Sequence, residues 1–260
     1  MTQVVFDDNI AAQLEQLYAT ADVLRRRALV RAALAARPGQ DVLDVGCGPG
    51  FYAAEIRDDV GASGSIVGID ASEAMLAIAN HRCEAHDNVR FEQASATSLP
   101  VEDASFDAAL SVQVLEYVTD VAAALAEIHR SLRRGGRVVI WDIDWSTVSW
   151  YMEDQSRMRR VLDAWDEHLA DPALPRRLSA LLLSAGFDDV TMHAHPFATN
   201  SFGPQTYGGA LVPLLKDFVI GRNGISADEA EAWETEQRAL DDQGRFFFSC
   251  TQFCFTANKR

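Results

Sequence analysis

The stretch V-L-D-V-G-C-G-P-G-F, Val42 to Phe51, decides the fold. The short apolar run Asp41 to Val45 enters a glycine cluster, and Ala53 to Arg57 beyond it has helical character. That order reads as strand, tight turn, helix. Gly46, Gly48 and Gly50 let the backbone turn sharply and leave room for a ligand to touch the main chain. A loop that cradles a pyrophosphate reads G-x-G-x-x-G, and its third glycine would fall on Phe51. The spacing here is G-x-G-x-G, with Asp44 just ahead of the first glycine. A carboxylate at that point sits poorly with a doubly negative pyrophosphate. It suits a positively charged ligand, an ammonium or a sulfonium.

The same texture continues on both sides. The strand Ser65 to Ile69 runs into Asp70, whose carboxylate can accept hydrogen bonds from ribose hydroxyls. Ser72 can cap a helix from Glu73 to Cys83. Asn88 to Glu92 and Phe106 to Ser111 read as the third and fourth strands. A helix with Val121, Leu125, Ile128 and Leu132 on one face and His129 on its solvated side ends at Gly135-Gly136, before a fifth strand, Arg137 to Trp145. Strands alternating with helices predict an α/β fold with a doubly wound, mostly parallel sheet and ligands beyond the carboxyl ends of the strands. The second half reads as helices Ser156 to Leu169 and Leu178 to Ser184, then a strand Val190 to His195 stopped by Pro196. Helices Tyr207 to Ile220 and Ala227 to Leu240 and a last strand Arg245 to Ala257 follow. The first forty or so residues read as helical, with Ile10, Leu14 and Leu17 on one face. No linker separates a second domain, so residues 1–260 are expected to form one.

The 260 residues are 48% hydrophobic, enough for a sizeable core. Against 23 Lys+Arg stand 38 Asp+Glu, a net charge of −15 that repels phosphate backbones and anionic lipid. Nucleic acid and membrane insertion are therefore not expected. The uncharged run Phe197 to Leu215 is broken by Asn200, Gly203, Pro204 and Gln205 and is no membrane span. MTQVVFDDNI lacks the basic and apolar regions of a signal peptide. Four cysteines without a paired framework suit free thiols in a reducing cytoplasm.

Four motifs carry a family resemblance: V-L-D-V-G-C-G-P-G at 42–50, V-G-I-D-A-S at 67–72, S-L-P-V-E-D-A-S-F-D at 98–107 and L-R-R-G-G-R-V-V-I at 132–140. In these the chain resembles class I, Rossmann-like S-adenosylmethionine-dependent methyltransferases, and among them the branch that includes the ubiquinone and menaquinone biosynthesis enzymes. The resemblance covers residues 18–145 well and the rest loosely. It implies a seven-stranded sheet with an antiparallel last strand. It also implies a helical cap at 1–40, a cofactor-binding half at 41–145, and a substrate-side half at 146–260 with a helical insertion at about 197–243.

The resemblance further implies that Asp44, Gly46, Cys47 and Gly48 meet S-adenosylmethionine, that Asp70 holds its ribose diol, and that Ala71 and Met75 flank the adenine. Met75 also reads as a core helix residue. The family's usual Asp-Ala pair after the third strand is Ser95-Ala96 here, a departure that leaves a hydroxyl in place of a carboxylate. Ser111 and Gln113 fall where the methionine end is reached. Tyr18 would close over cofactor and substrate, and Arg27 would reach the cofactor carboxylate; both also read as ordinary helix residues. Asn-Pro-Pro-Tyr, the motif of methyltransferases acting on nucleic-acid bases, is absent after the fourth strand.

For the acceptor, strand alternation separates Trp141, Ile143 and Trp145 from Asp142 and Asp144. The set reads as an aromatic wall with a carboxylate base, or as core tryptophans with capping carboxylates. Phe202 and Tyr207 could complete a substrate pocket. His193 and His195 share a strand face and are further candidates for a base, which only a protonated acceptor needs. No metal set is expected. The expected partner is a small-molecule methyl acceptor, with a homodimer left open. Two rival readings are a non-catalytic module that binds the same cofactor and a nicotinamide-dependent oxidoreductase; Phe51 and Asp44 count against the second.

Overall fold

A computed structural model describes Leu14 and residues 16–260 of the chain; Ile10 lies outside the described residues. Seven strands form one sheet: β1 (Asp41–Val45), β2 (Ser65–Asp70), β3 (Val89–Gln93), β4 (Phe106–Val112), β5 (Leu132–Trp150), β6 (Phe187–Thr199) and β7 (Phe248–Lys259). Their order is β3-β2-β1-β4-β5-β7-β6. β1 pairs in parallel with β2 and β4, β2 with β3, and β4 with β5, and the sheet as a whole is mostly parallel with one antiparallel strand. The chain therefore walks outward from β1 to β3 and returns to β4 on the other side of β1. Such a reversal opens a crevice at the carboxyl ends of β1 and β4. Among the described residues the helices are, in chain order, α1 (Ala21–Leu34), α2 (Phe51–Val60), α3 (Glu73–Cys83), α4 (Val121–Ser131), α5 (Gln155–Asp166), α6 (Pro175–Ser184), α7 (Tyr207–Val219) and α8 (Ala227–Asp242). Among the described residues no helix is long and apolar enough to cross a membrane.

Contacts divide the chain into two compact units. The larger comprises Arg27–Ile143, Ala173–Ala194 and Phe253–Arg260. The smaller comprises the described residues up to Arg26, Asp144–Pro172 and His195–Gln252. In the larger unit, Leu43, Val67, Ala109, Val138 and Ile140 form one apolar sheet face. Leu125 and Ile128 of α4, Leu178 and Leu182 of α6, and Phe187 and Phe255 complete that core. Each such side chain taken fully out of water contributes about 1.5–3 kcal/mol before entropy is counted. In the smaller unit α7 packs on α8 and on α5.

Several element ends differ from expectation for identifiable reasons. α4 stops at Ser131, before Gly135-Gly136, because Lys259 Nζ donates to the carbonyls of His129, Arg130 and Leu132 at 2.7, 3.4 and 2.8 Å. The glycine pair instead lies in β5, where the register against β4 shifts. A Cβ on Gly136 would fall 2.8 Å from the Arg133 carbonyl. β6 runs through Pro196 to Thr199; as the outermost strand it has a free side on which a missing N–H costs little. His129 is not solvated but half-buried, its ring edge-on to Phe187 at 5.0 Å. Burial, and after it the neighbouring Lys259, hold its pKa below the usual histidine value.

Candidate functional site

The glycine loop lies at the carboxyl ends of β1 and β2 in the larger unit. Gly46, Gly48 and Gly50 all have positive φ, at 75°, 51° and 79°. At Gly46 the requirement is double, since a Cβ would also come within 2.2 Å of Val114. The loop's amides are committed inside the protein. Gly46 N and Cys47 N both donate to the Ile69 carbonyl, at 2.7 and 3.0 Å. Gly50 N donates to the Cys47 carbonyl at 3.0 Å. Gly48 N donates to Asp70 Oδ2 at 2.8 Å, while Asp70 Oδ1 accepts from Ser72 N at 2.8 Å. A loop whose N–H groups are spent in this way offers no nest for an anion.

What the loop does offer is an acceptor. Asp44 is 1% exposed, and its Oδ2 has no hydrogen-bond partner among the described residues. Burial, and then the nearby Asp70 carboxylate, push its pKa up to about 8. A buried carboxyl under that pressure stabilises any cation that reaches it. Ser111, at the end of β4, is likewise buried, with an unpartnered hydroxyl. Cys47 is buried, and its thiol is pushed up by burial, by Asp44 and by Asp70.

The remaining expected cofactor positions are distributed as follows. Met75 is buried in the first turn of α3, its amide donating to the Ser72 hydroxyl at 3.3 Å, so Ser72 caps α3 as read. Ala71 is exposed beside it. Ser95 is exposed, and its hydroxyl pairs with that of Thr97 at 2.8 Å. Ala96 packs against the core. Gln113 has φ 54° and donates its amide to the Trp141 carbonyl at 2.6 Å. Arg27 is buried, donating to Glu55 Oε1 at 2.7 Å, with its guanidinium 4.7 Å above the Phe51 ring. Tyr18 lies in the smaller unit, half-buried.

The acceptor-side candidates are divided between the units. Trp141 and Asp142, both fully buried, belong to the larger unit, and Asp144 and Trp145, also buried, to the smaller. Asp144 Oδ1 accepts from the Ser146 hydroxyl, and Trp145 contacts Trp165 at 5.7 Å. Phe202 packs on Phe246 at 5.6 Å, and Tyr207 is buried against Phe197 at 5.4 Å. His193 is exposed and His195 half-buried, both on the outermost strand.

Three residues near the loop were missed from the sequence. Arg82 lies 3.6 Å above the face of Phe51 and donates Nε to the Pro49 carbonyl at 2.7 Å, clamping the loop from α3. Val114 fills the space against Gly46. Glu116, fully buried, accepts from the Ile143 amide at 3.4 Å. Of the three, only Glu116 left a signal, an acidic residue just past the fourth strand.

Residues 43–140 match the family model described as a methyltransferase domain. An O-methyltransferase of Pyrenophora dematioidea is 33% identical over 202 residues, covering 72% of this chain and 71% of that protein. The demethylmenaquinone methyltransferase of Lactococcus lactis is 38% identical over 117 residues, 44% of this chain and 46% of that protein. The chain spans about half the length of most curated relatives of this kind. Among solved structures, the YcgJ protein of Bacillus subtilis superposes with a TM-score of 0.64 at 21% identity, covering 91% of this chain and 99% of that one, a likeness of fold. With an acceptor-rich glycine loop at the switch point of such a sheet, the chain belongs to the class I, Rossmann-like S-adenosylmethionine-dependent methyltransferases.

Proposed function

We propose that this chain transfers a methyl group from S-adenosylmethionine to an oxygen, nitrogen or carbon atom of a small-molecule acceptor. One observation carries the reading: the Asp44 carboxyl at the loop has an unpartnered Oδ2, while the loop's own amides are already used. S-adenosylmethionine brings a sulfonium and an α-ammonium group, both of which need acceptors and neither of which needs an anion nest.

Asp44 receives the cationic end. The Asp70 oxygens, each with a lone pair left after bonding Gly48 and Ser72, accept the ribose hydroxyls. Ala71 and Met75 flank the base, with Ser95 and Ala96 at its rim, and Ser111 and Gln113 face the methionine end. When bound, S-adenosylmethionine supplies an electrophilic methyl carbon, which an acceptor lone pair takes as the carbon–sulfur bond breaks. The protein's part is alignment and exclusion of water. Where the acceptor carries a proton, Asp142, Asp144, His193 and His195 are the candidates to remove it. Trp141, Trp145, Phe202, Tyr207 and Tyr18 are the candidates for contact with the acceptor's body. A net charge of −15 favours a small molecule over nucleic acid as that acceptor.

Calorimetry with S-adenosylhomocysteine and NAD, followed by incubation of labelled S-adenosylmethionine with phenols, amines and quinone precursors, tests the reading. Binding of the homocysteine product and label in an extracted small molecule are the expected results. Binding of NAD alone would overturn the assignment.

A further inference from the structure

The smaller unit holds an open depression of about 470 Å³, lined by Ser149, Trp150, Tyr151, Gln155, Arg245 and Phe247. That volume suits a small molecule. Methyl transfer calls on none of these residues. Two neighbouring segments build the walls: Trp150 ends β5 and Tyr151 follows it, while Arg245 and Phe247 lead into β7, the strand beside β5. The Tyr151 amide donates to the Phe247 carbonyl at 2.9 Å and holds the two segments together. Phe246 and Phe248 are buried, whereas Phe247 between them is 43% exposed. An apolar ring left in water at the rim of a depression gains when something covers it.

The polar groups of the lining define the occupant. Arg245 brings a charge that is already matched. Its Nη1 donates to Glu153 Oε1 at 2.8 Å and to Gln243 Oε1 at 3.2 Å, and its Nη2 donates to the Tyr151 hydroxyl. Its Nε–H and one Nη2–H have no partner among the described residues and are left to donate. The Tyr151 hydroxyl, having accepted from Arg245, keeps its own proton to donate. The Gln155 amide nitrogen donates to the Met152 carbonyl, which leaves its oxygen as an acceptor. The depression thus offers ring surface and spare donors without spare positive charge. An anion would meet Glu153 on the same guanidinium, in a chain of net charge −15. A hydrocarbon would displace water from the donors and give them no acceptor.

We propose that this depression binds an uncharged, planar aromatic molecule bearing a carbonyl group, of the aromatic amide class. The ring covers Phe247 and Tyr151, the carbonyl oxygen accepts from Arg245, and an amide N–H donates to the Gln155 oxygen. The site lies wholly in the smaller unit and is independent of the methyl-transfer reading.

The test is titration of the whole chain with 4-methylbenzamide, 4-methylbenzoate and p-xylene, followed by calorimetry and saturation-transfer NMR. The amide is expected to bind about fivefold more tightly than either counterpart, the scale of one or two hydrogen bonds at a solvent-open site. Arg245→Met keeps the apolar stem and loses the donors, so the amide should fall to the level of p-xylene while p-xylene is unchanged. Phe247→Ser should weaken both the amide and p-xylene. Both side chains are exposed, so neither replacement empties the core, and thermal melts of the two variants should match the wild type. Tightest binding by the benzoate, equal binding of the amide and p-xylene, or an amide affinity that neither variant changes would overturn the proposal.

Discussion

The amide of Gly48 donates to the carboxylate of Asp70 at 2.8 Å, tying the glycine loop to the end of the neighbouring strand. One side chain thereby shapes the loop and keeps lone pairs with which to accept further hydrogen bonds. Asp70→Ala should weaken S-adenosylhomocysteine binding by about 1–3 kcal/mol, the cost of losing hydrogen bonds to a charged group. It should also lower the melting temperature of the ligand-free protein. Titration calorimetry and thermal melts read the two effects separately; unchanged affinity would remove Asp70 from the ribose site.

Asp44 gives a pH signature. Its folded-state pKa of about 8 lies above the unfolded value of about 3.9. Between those values the unfolded chain holds fewer protons than the folded one at this residue. Its contribution to stability therefore falls as pH rises from about 4 to about 8. Asp44→Asn should flatten that part of the profile, as urea midpoints collected across the window would show. In the wild type, stabilisation by S-adenosylmethionine should grow over the same window as the carboxylate ionises beside the cation. A variant with an unaltered pH profile would contradict the account.

Two guanidinium groups, of Arg27 and Arg82, lie over the Phe51 ring at 4.7 and 3.6 Å from its centre. Arg82→Leu removes the closer one along with its bond to the Pro49 carbonyl, and should cost about 1–3 kcal/mol. Hydrogen exchange at Gly48 and Gly50 should accelerate in this variant ahead of the rest of the sheet. Exchange that rises evenly through the protein would argue against a local clamp.

Lys259 and His129 can be tested together. Lys259→Met leaves the last carbonyls of α4 without their cation and should destabilise the fold by about 1–2 kcal/mol. It also removes one of the two causes that depress the His129 pKa, so that pKa should rise. An imidazole NMR titration of wild type and variant measures the shift.

The core of the candidate cofactor site was legible because it is written in backbone terms. Three glycines, Asp44 before them, Asp70 at the end of the next strand and the Ser72 cap all lie in short stretches whose geometry follows from sequence order. Relations between distant residues were not legible. Nothing in the one-dimensional pattern brings Arg27 and Arg82 to the same ring, or Lys259 to the end of α4. That long-range cap is also why α4 ended earlier than its glycine pair suggested. Pro196 misled because a proline's effect depends on whether its strand has a neighbour on both sides, which is a property of the finished sheet. The grouping of the smaller unit is likewise not legible in sequence order, because its segments, up to Arg26, 144–172 and 195–252, are far apart along the chain.

The Cys47 thiol has a chemical consequence for a protein that handles an alkylating agent. A thiolate in the loop proposed to receive the methyl donor would be an intrinsic acceptor, and the enzyme would modify itself. Burial and the two neighbouring carboxylates keep that sulfur protonated and therefore poorly nucleophilic. On the proposed reading, the acidic surroundings that would receive the sulfonium also protect the loop from self-alkylation.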